Sequence, residues 1–206
     1  YHWNVSDILA RETAPDKPEH LDTWFKVKDL ALNCVYAAGW RVLSELAAEI
    51  GDTETADYCA SQASLSSTAI QTRMWDAEHS TFQTVYTDFD GVDKFSVANS
   101  IQNLFPLLLS DLPSQHVDAL VAQLSDTNKF AAPYSVPTVA MDDPQFCATF
   151  DADLMWRGPV WGFTNWFLLE GLGLHNRLDV QVGVCILCGF FMMLCADNLG
   201  FLHCTL

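Results

Sequence analysis

Residues 26–76 carry two successive apolar stripes at helical spacing, separated only by Gly51-Asp52. Leu32, Val35, Leu43, Leu46 and Ile50 predict a long helix over 26–50. Ala37, Ala38 and Gly39 are small, so a neighbouring helix can approach closely there. Gly51 stands just past the last turn, where glycine commonly ends a helix. Asp52 or Thr53 can cap a second helix over 53–76, with Ala56, Cys59, Ala63, Ile70 and Met74 inward. So short a link makes the pair antiparallel, and such a hairpin calls for further helices to pack against.

The rest of the chain repeats the theme. Residues 96–109 predict a helix with Val97, Ile101, Leu104, Phe105 and Leu108 buried, kinked at Pro106. Pro113 suits the first turn of another, running to Leu124 with Val117, Leu120, Val121 and Leu124 as its stripe. A last helix covers 160–174, with Trp161, Asn165, Leu168 and Leu172 on one face. Between them, Phe82, Val85 and Tyr86 suggest a short extended piece, and Phe89-Asp90-Gly91 a turn. Residues 126–158 hold Pro133, Pro137 and Pro144 with little periodicity, and a loop this long in a compact domain is usually functional. The fold class is therefore all-α, built of antiparallel helical hairpins with a long loop before Trp156. No fixed repeat length argues for a simple solenoid. The organisation reads as an irregular connection over 1–22, a helical domain over 23–177 and an atypical tail over 178–206.

That tail breaks the composition. All 10 Lys and Arg lie at or before Arg177, and four of the 7 cysteines lie after it. The apolar run from Val182 to Cys195 would span roughly 21 Å as a helix, short of the ~30 Å bilayer core, so membrane association is not expected. Cys185-x-x-Cys188 lacks the second pair of a zinc ribbon and a thioredoxin-like setting. Cys34, Cys59 and Cys147 read as buried small residues. The formal net charge of -16 repels phosphate backbones, so nucleic acid is excluded as a partner. No secretory leader is visible at Tyr1; the compartment stays open, the cytoplasm somewhat favoured.

Chemistry concentrates between Tyr134 and Asn165. In Trp156-Arg157-Gly158-Pro159-Val160-Trp161, two indoles offer flat faces on which the C–H side of a sugar can stack. Arg157 offers a rigid fork of donors. Gly158 lets backbone come close to a ligand, and Asn165 can aim a donor and an acceptor at the same space. The bland alternative is a packed aromatic corner with Arg157 paired to Asp151 or Asp153. Glycoside hydrolysis usually needs two carboxyl groups. Asp142, Asp143, Asp151, Asp153 and Glu170 are the nearby candidates. Asp142-Asp143-Pro144 looks like turn chemistry, Glu170 looks solvated, and Asp153 is the candidate direct ligand. Asp88, Asp90 and Asp93 resemble half of a calcium loop, but the spacing is short and the closing glutamate is missing, so a surface turn is expected and no metal. The six histidines are dispersed, and serine-hydrolase, phosphate-loop and dinucleotide motifs are missing.

The Trp156–Trp161 stretch, with Asn165 and Glu170-Gly171-Leu172, resembles glycoside hydrolase family 63, nearest to its mannosylglycerate hydrolase-like branch. Phe25-Lys26-Val27-Lys28-Asp29, Asn99 to Leu107, and Pro133 to Ala140 with Asp143-Pro144-Phe146 are similar to further segments of that family, over roughly residues 24–177. The resemblance implies a partial (α/α)6 toroid, inverting hydrolysis of a small mannoside or glucoside such as mannosylglycerate, and no cofactor. It carries sugar binding over to Trp156, Arg157, Gly158 and Trp161, with Tyr134 and Gln102 as further contacts; Met155 stands where the family often has tyrosine. The family's acid-bearing Trp-Glu-Ser/Thr-Gly-x-Asp segment has no counterpart here, and its basic glutamate would fall in the tail, which contains none. The catalytic residues are therefore unknown, and the chain alone is expected to hydrolyse nothing. The rival readings are a non-catalytic sugar-binding or helical interaction module, and a structural domain with a membrane-associated tail. Half a toroid would leave apolar helix faces open and prone to self-association.

Overall fold

A computed structural model of the chain describes residues 26–88, 91–133, 135–149, 156–181 and 183–184. Cys185, Cys188 and nearly all of the Val182–Cys195 run lie outside these residues.

The hairpin is present, with a different start. Val27–Lys28 is a strand, β1, and helix α1 follows over Leu30–Glu49. Asp29 fixes the boundary, its carboxylate accepting from the Leu32 N–H at 2.8 Å. Gly51 turns the chain at φ 80°, a conformation that suits glycine. Asp52 then caps helix α2, Thr53–Arg73, accepting from the Thr55 N–H at 3.1 Å. The expected inner face of α2 is largely correct: Ala56, Cys59, Ile70 and, just past its end, Met74 are buried, and Ala63 is half-buried. The expected face of α1 is not. Leu30, Cys34, Ala37 and Ala47 are its buried residues, while Leu43 is 51% and Ile50 82% exposed, with Leu32 and Leu46 between. The helix has two apolar stripes, and its smaller residues form the inner one because they let neighbours approach closely. Tyr36 and Gly39 complete the outer stripe, 32-36-39-43-46-50, the spacing of a helix-packing seam.

Strands replace part of the expected all-helical pattern. β2 (Trp75–Asp76) pairs with β3 (Thr81–Phe82), both antiparallel. β4 (Val85–Thr87) lies between β1 and β5 (Asp93–Phe95) in an antiparallel sheet of order β1-β4-β5. The class is thus predominantly helical with two small antiparallel sheets. Asp88 pairs with Lys94 at 2.6 Å, and Asp93 pairs with Lys28 and accepts from Thr87 at 2.8 Å. Both carboxylates serve the turn; the Lys28 partner holds Asp93 below the usual carboxylate pKa. Asp90 lies outside the described residues.

Residues 101–108 form a 3₁₀ helix, Ile101–Leu108, shorter than the helix expected over 96–109. The residues before it are drawn into extended pairing. The Ser96 N–H donates to Thr84 O at 2.8 Å, the Ala140 N–H donates to Asn99 O at 2.9 Å, and Ser100 bridges Val139. Val97 is accordingly 90% exposed rather than buried. Pro106, lacking a donor, suits the tighter turn. Helix α3 follows over Ser114–Ser125, with Val117, Leu120, Val121 and Leu124 buried as expected. Helix α4, Gly162–Leu174, buries Leu168 and Leu172 in the core with the 3₁₀ helix, and Asn165 against Ser135 and Val136. Packing runs from α2 to α1, from α1 to the 3₁₀ helix, and from there to α4. Cys34 and Cys59 are buried and free; Cys147 is half-buried, its thiol donating to Thr149 O at 3.0 Å.

His175 closes this stack, its Nε2 lying 3.0 Å from Leu107 O. Burial pushes its pKa below the ordinary histidine value, outweighing the Leu107 and Leu109 carbonyls and the Asp111 charge. As pH falls through about 6.5 the unfolded chain takes the proton first, so folding stability declines until the lower folded pKa is passed. His116 shifts the same way, and exposed His79, raised by its hydrogen bond to Asp76, the opposite way. Urea midpoints measured from pH 7.5 to pH 5 should therefore fall less steeply in His175→Gln than in the parent chain. Identical slopes would refute the assignment.

Candidate functional site

The cleft is built by three extended segments laid side by side. The middle one is the stretch 135–140, which the sequence marked only as loop. On one side it meets the entry to the 3₁₀ helix: the Ile101 N–H donates to Thr138 O at 2.9 Å. On the other it meets the tryptophan stretch. The Thr138 N–H donates to Pro159 O at 3.2 Å, Pro137 bridges Val160, and the Gly158 N–H donates to the Thr138 hydroxyl at 2.9 Å. Asp143 finishes the turn, accepting from the N–H groups of Asn99 and Gln145, each at 2.8 Å. The expected turn role of Asp143 is thereby accounted for.

These walls enclose a cleft of about 590 Å³. Trp156, Arg157 and Gln102, all expected at the site, line it together. Phe105 and Phe163 add apolar surface, and Thr138, Gln145 and Thr164 add polar groups. This mixture of apolar wall with few convergent polar groups is typical of small-molecule sites. No carboxyl group stands among its described lining residues. Glu170 is exposed on α4. Tyr134, Asp151 and Asp153 lie outside the described residues.

The two indoles do not act as separate platforms. Trp156 and Trp161 stack on each other, 4.4 Å apart and 5° from parallel. Phe163 meets both edge-on, at 6.1 Å and 5.9 Å. Trp161 thus backs Trp156, which leaves Trp156, 54% exposed, as the outward ring. The aromatic corner and the aromatic wall of a cleft are one object.

Two residues expected to face a ligand serve the protein instead. Gly158 has φ 140°, and a Cβ there would stand 2.4 Å from Cys147 O and 3.1 Å from the Phe146 ring. The close approach it allows is that of the chain to itself; the Cys147 N–H donates to Arg157 O at 2.6 Å. Asn165 is fully buried. Its Oδ1 accepts from the Ser135 hydroxyl at 2.5 Å and the Val136 N–H at 3.1 Å. Its Nδ2 donates to Val136 O and Trp161 O, each at 3.0 Å. An amide enclosed and satisfied on both sides has nothing left to offer a sugar.

Sequence reasoning missed Phe163 and Thr138. Phe163 gave no distinguishing signal, since Trp166 on the same helix is exposed as well. Thr138 gave no signal; its role depends on pairing between segments about 20 residues apart.

A family model for the mannosylglycerate hydrolase MGH1-like glycoside hydrolase domain matches residues 1–182. The chain is 30% identical over 178 residues to the mannosylglycerate hydrolase of Rubrobacter radiotolerans, an alignment covering 85% of this chain and 36% of that protein. Among solved structures, the GH63 mannosylglycerate hydrolase from Thermus thermophilus in complex with glucose superposes with a TM-score of 0.60 at 20% identity, over 76% of this chain and 37% of the other. Neutral trehalase from Saccharomyces cerevisiae gives 0.67 at 14% identity, over 86% and 33%. At such identities the structural likeness bears on the fold. The chain spans about a third of the length of the mannosylglycerate hydrolase it matches.

Proposed function

The chain belongs to the mannosylglycerate hydrolase MGH1-like glycoside hydrolase family, and from that premise we propose that its cleft is part of the sugar site of an inverting α-glycosidase. The substrate class is a small mannoside or glucoside, with mannosylglycerate as the leading candidate. The observation that carries this reading is the meeting of Trp156, Arg157 and Gln102 in one cleft. Trp156 supplies the stacking face, Arg157 a fork of donors to hydroxyls or a carboxylate, and Gln102 a donor and an acceptor. Gly158, Trp161 and Asn165 support them; Tyr134 and Asp153 remain candidate contacts. No cofactor is invoked. The helical elements form part of an (α/α)6 toroid, with 126–158 as its long functional loop.

Two measurements test this. Calorimetric titration with mannosylglycerate should give binding that Trp156→Ala weakens by about tenfold or more, with far-UV circular dichroism unchanged. Unaltered affinity would remove Trp156 from the site. Hydrolysis by this 206-residue chain should be undetectable; Arg157-dependent turnover would overturn the view that the catalytic carboxylates are missing.

A second reading, a sugar-binding module without chemistry, is favoured by the lack of a carboxyl group among the described residues lining the cleft. The partner proposal is self-association. Leu32, Leu43, Leu46 and Ile50 form an exposed apolar row on α1. Light scattering should find concentration-dependent association that Leu43→Lys with Ile50→Lys abolishes. A parent chain that stays monomeric at high concentration would contradict it. No helix among the described residues is long and apolar enough to cross a membrane.

A further inference from the structure

We infer that Asn165 is a positioning residue. It braces the strained start of the 135–140 strap, and through that strap it sets the Trp156–Arg157 wall of the cleft. The inference rests on the reading of that cleft as the sugar site.

Ser135 is the point of strain. Its φ is 88°, in the left-handed region that non-glycine residues rarely adopt. Backbone held there persists only when its surroundings over-determine it. The surroundings here are the Asn165 amide. One oxygen takes both the Ser135 hydroxyl and the Val136 N–H, and the nitrogen returns a bond to Val136 O. Val136 is 2% exposed and Ser135 equally buried, so water cannot stand in for the amide.

From Val136 the constraint runs two residues to Thr138. That residue is tied to Ile101 on one wall, and to Gly158 and Pro159 on the other. A second tie runs directly, because Asn165 Nδ2 also donates to the carbonyl of Trp161, the residue that backs Trp156. One buried side chain therefore holds both ends of the motif's support, the strap beneath it and the ring behind it. An ordinary core asparagine would satisfy itself without joining two walls of a cleft.

Asn165→Asp tests this with almost no change in shape. It replaces two donors by an acceptor facing the carbonyls of Val136 and Trp161. The first readout is independent of sugar. Stacked indoles shift each other's ring protons upfield, so the Trp156 and Trp161 resonances, assigned with Trp156→Phe and Trp161→Phe, report the stack. Asn165→Asp should lose these shifts while far-UV circular dichroism is retained. Gly171→Ala, which crowds Leu107 and no residue of the strap, should keep them at a similar loss of stability. Affinity for mannosylglycerate should fall by roughly tenfold or more in Asn165→Asp alone, a misplacement effect.

Retained shifts in a folded Asn165→Asp, or equal loss in Gly171→Ala, would overturn the inference. Should Asn165→Asp fail to fold, Ser135→Ala, which removes one bond of the brace, is read instead. Partial loss of the shifts supports the brace and full retention overturns it. A parent chain that binds no mannosylglycerate would end the sugar reading, while the resonance comparison still decides the role of Asn165.

Discussion

Gly158→Ala should destabilise the chain by about 3 kcal/mol and lower its melting temperature by roughly 6–12 °C. A Cβ at this position meets the Cys147 carbonyl oxygen at 2.4 Å, and backbone cannot swing away as a flexible side chain can. The residue also sits at φ 140°, where any side chain is strained. Relief requires 157–158 to part from 146–147, which breaks the bond from the Cys147 N–H to Arg157 O. Strain of about 1–3 kcal/mol and the loss of a hydrogen bond worth about 1 kcal/mol then act together. Because Arg157 is the next residue, sugar affinity should fall with stability. A melting scan in which the variant matches the parent would show that the segment has more room than its geometry allows.

Gly171→Val is the second large effect. Gly171 lies on α4 where it crosses the 3₁₀ helix, and a Cβ would stand 2.8 Å from Leu107 Cβ and 2.9 Å from its carbonyl carbon. Alanine already forces a shift; valine adds two methyl groups to a fully buried contact. Overpacking of this kind costs about 1–3 kcal/mol, and the backbone contact places it at the upper end. Leu107 does not line the cleft, so the cost should fall on stability. Chemical denaturation should place Gly171→Val below Gly171→Ala, and Gly171→Ala below the parent. Any other order would refute the close-approach account.

How much of this was legible in the sequence differs by element. The stripe of α3 and most of the inward positions of α2 and α4 were read correctly, though Ala63 and Trp161 are only half-buried and Leu65 and Trp166 point outward. On α1 the reading failed. Leu30, Cys34 and Ala37 face the core, and the larger Leu43 and Ile50 do not. Periodicity finds stripes but does not rank two of them. The strands at 27–28 and 93–95 were missed, because pieces of two or three residues carry no period. At the site, the residue types of the Trp156–Trp161 stretch pointed to the cleft wall. Their division of labour did not appear, since it depends on which ring stacks on which. Asn165 is the instructive case. Its position on the inward face of α4 was readable, but the three residues that take its four side-chain hydrogen bonds lie about 30 residues away or one turn back, and only the folded chain reveals that they exhaust it.

The outer row on α1 has a consequence for how this chain tolerates change. A buried leucine is constrained by everything it touches, whereas Leu32, Leu43 and Ile50 are more than half exposed among the described residues, which constrain them less. Gly39, in the same row, has open space where a Cβ would project. Apolar area that the described residues leave open adds little to folding and is available to a second surface. Folding and association should therefore respond separately to substitution in this row. A library randomised at these positions and sorted first for folding, then for association, would distinguish the two residue by residue.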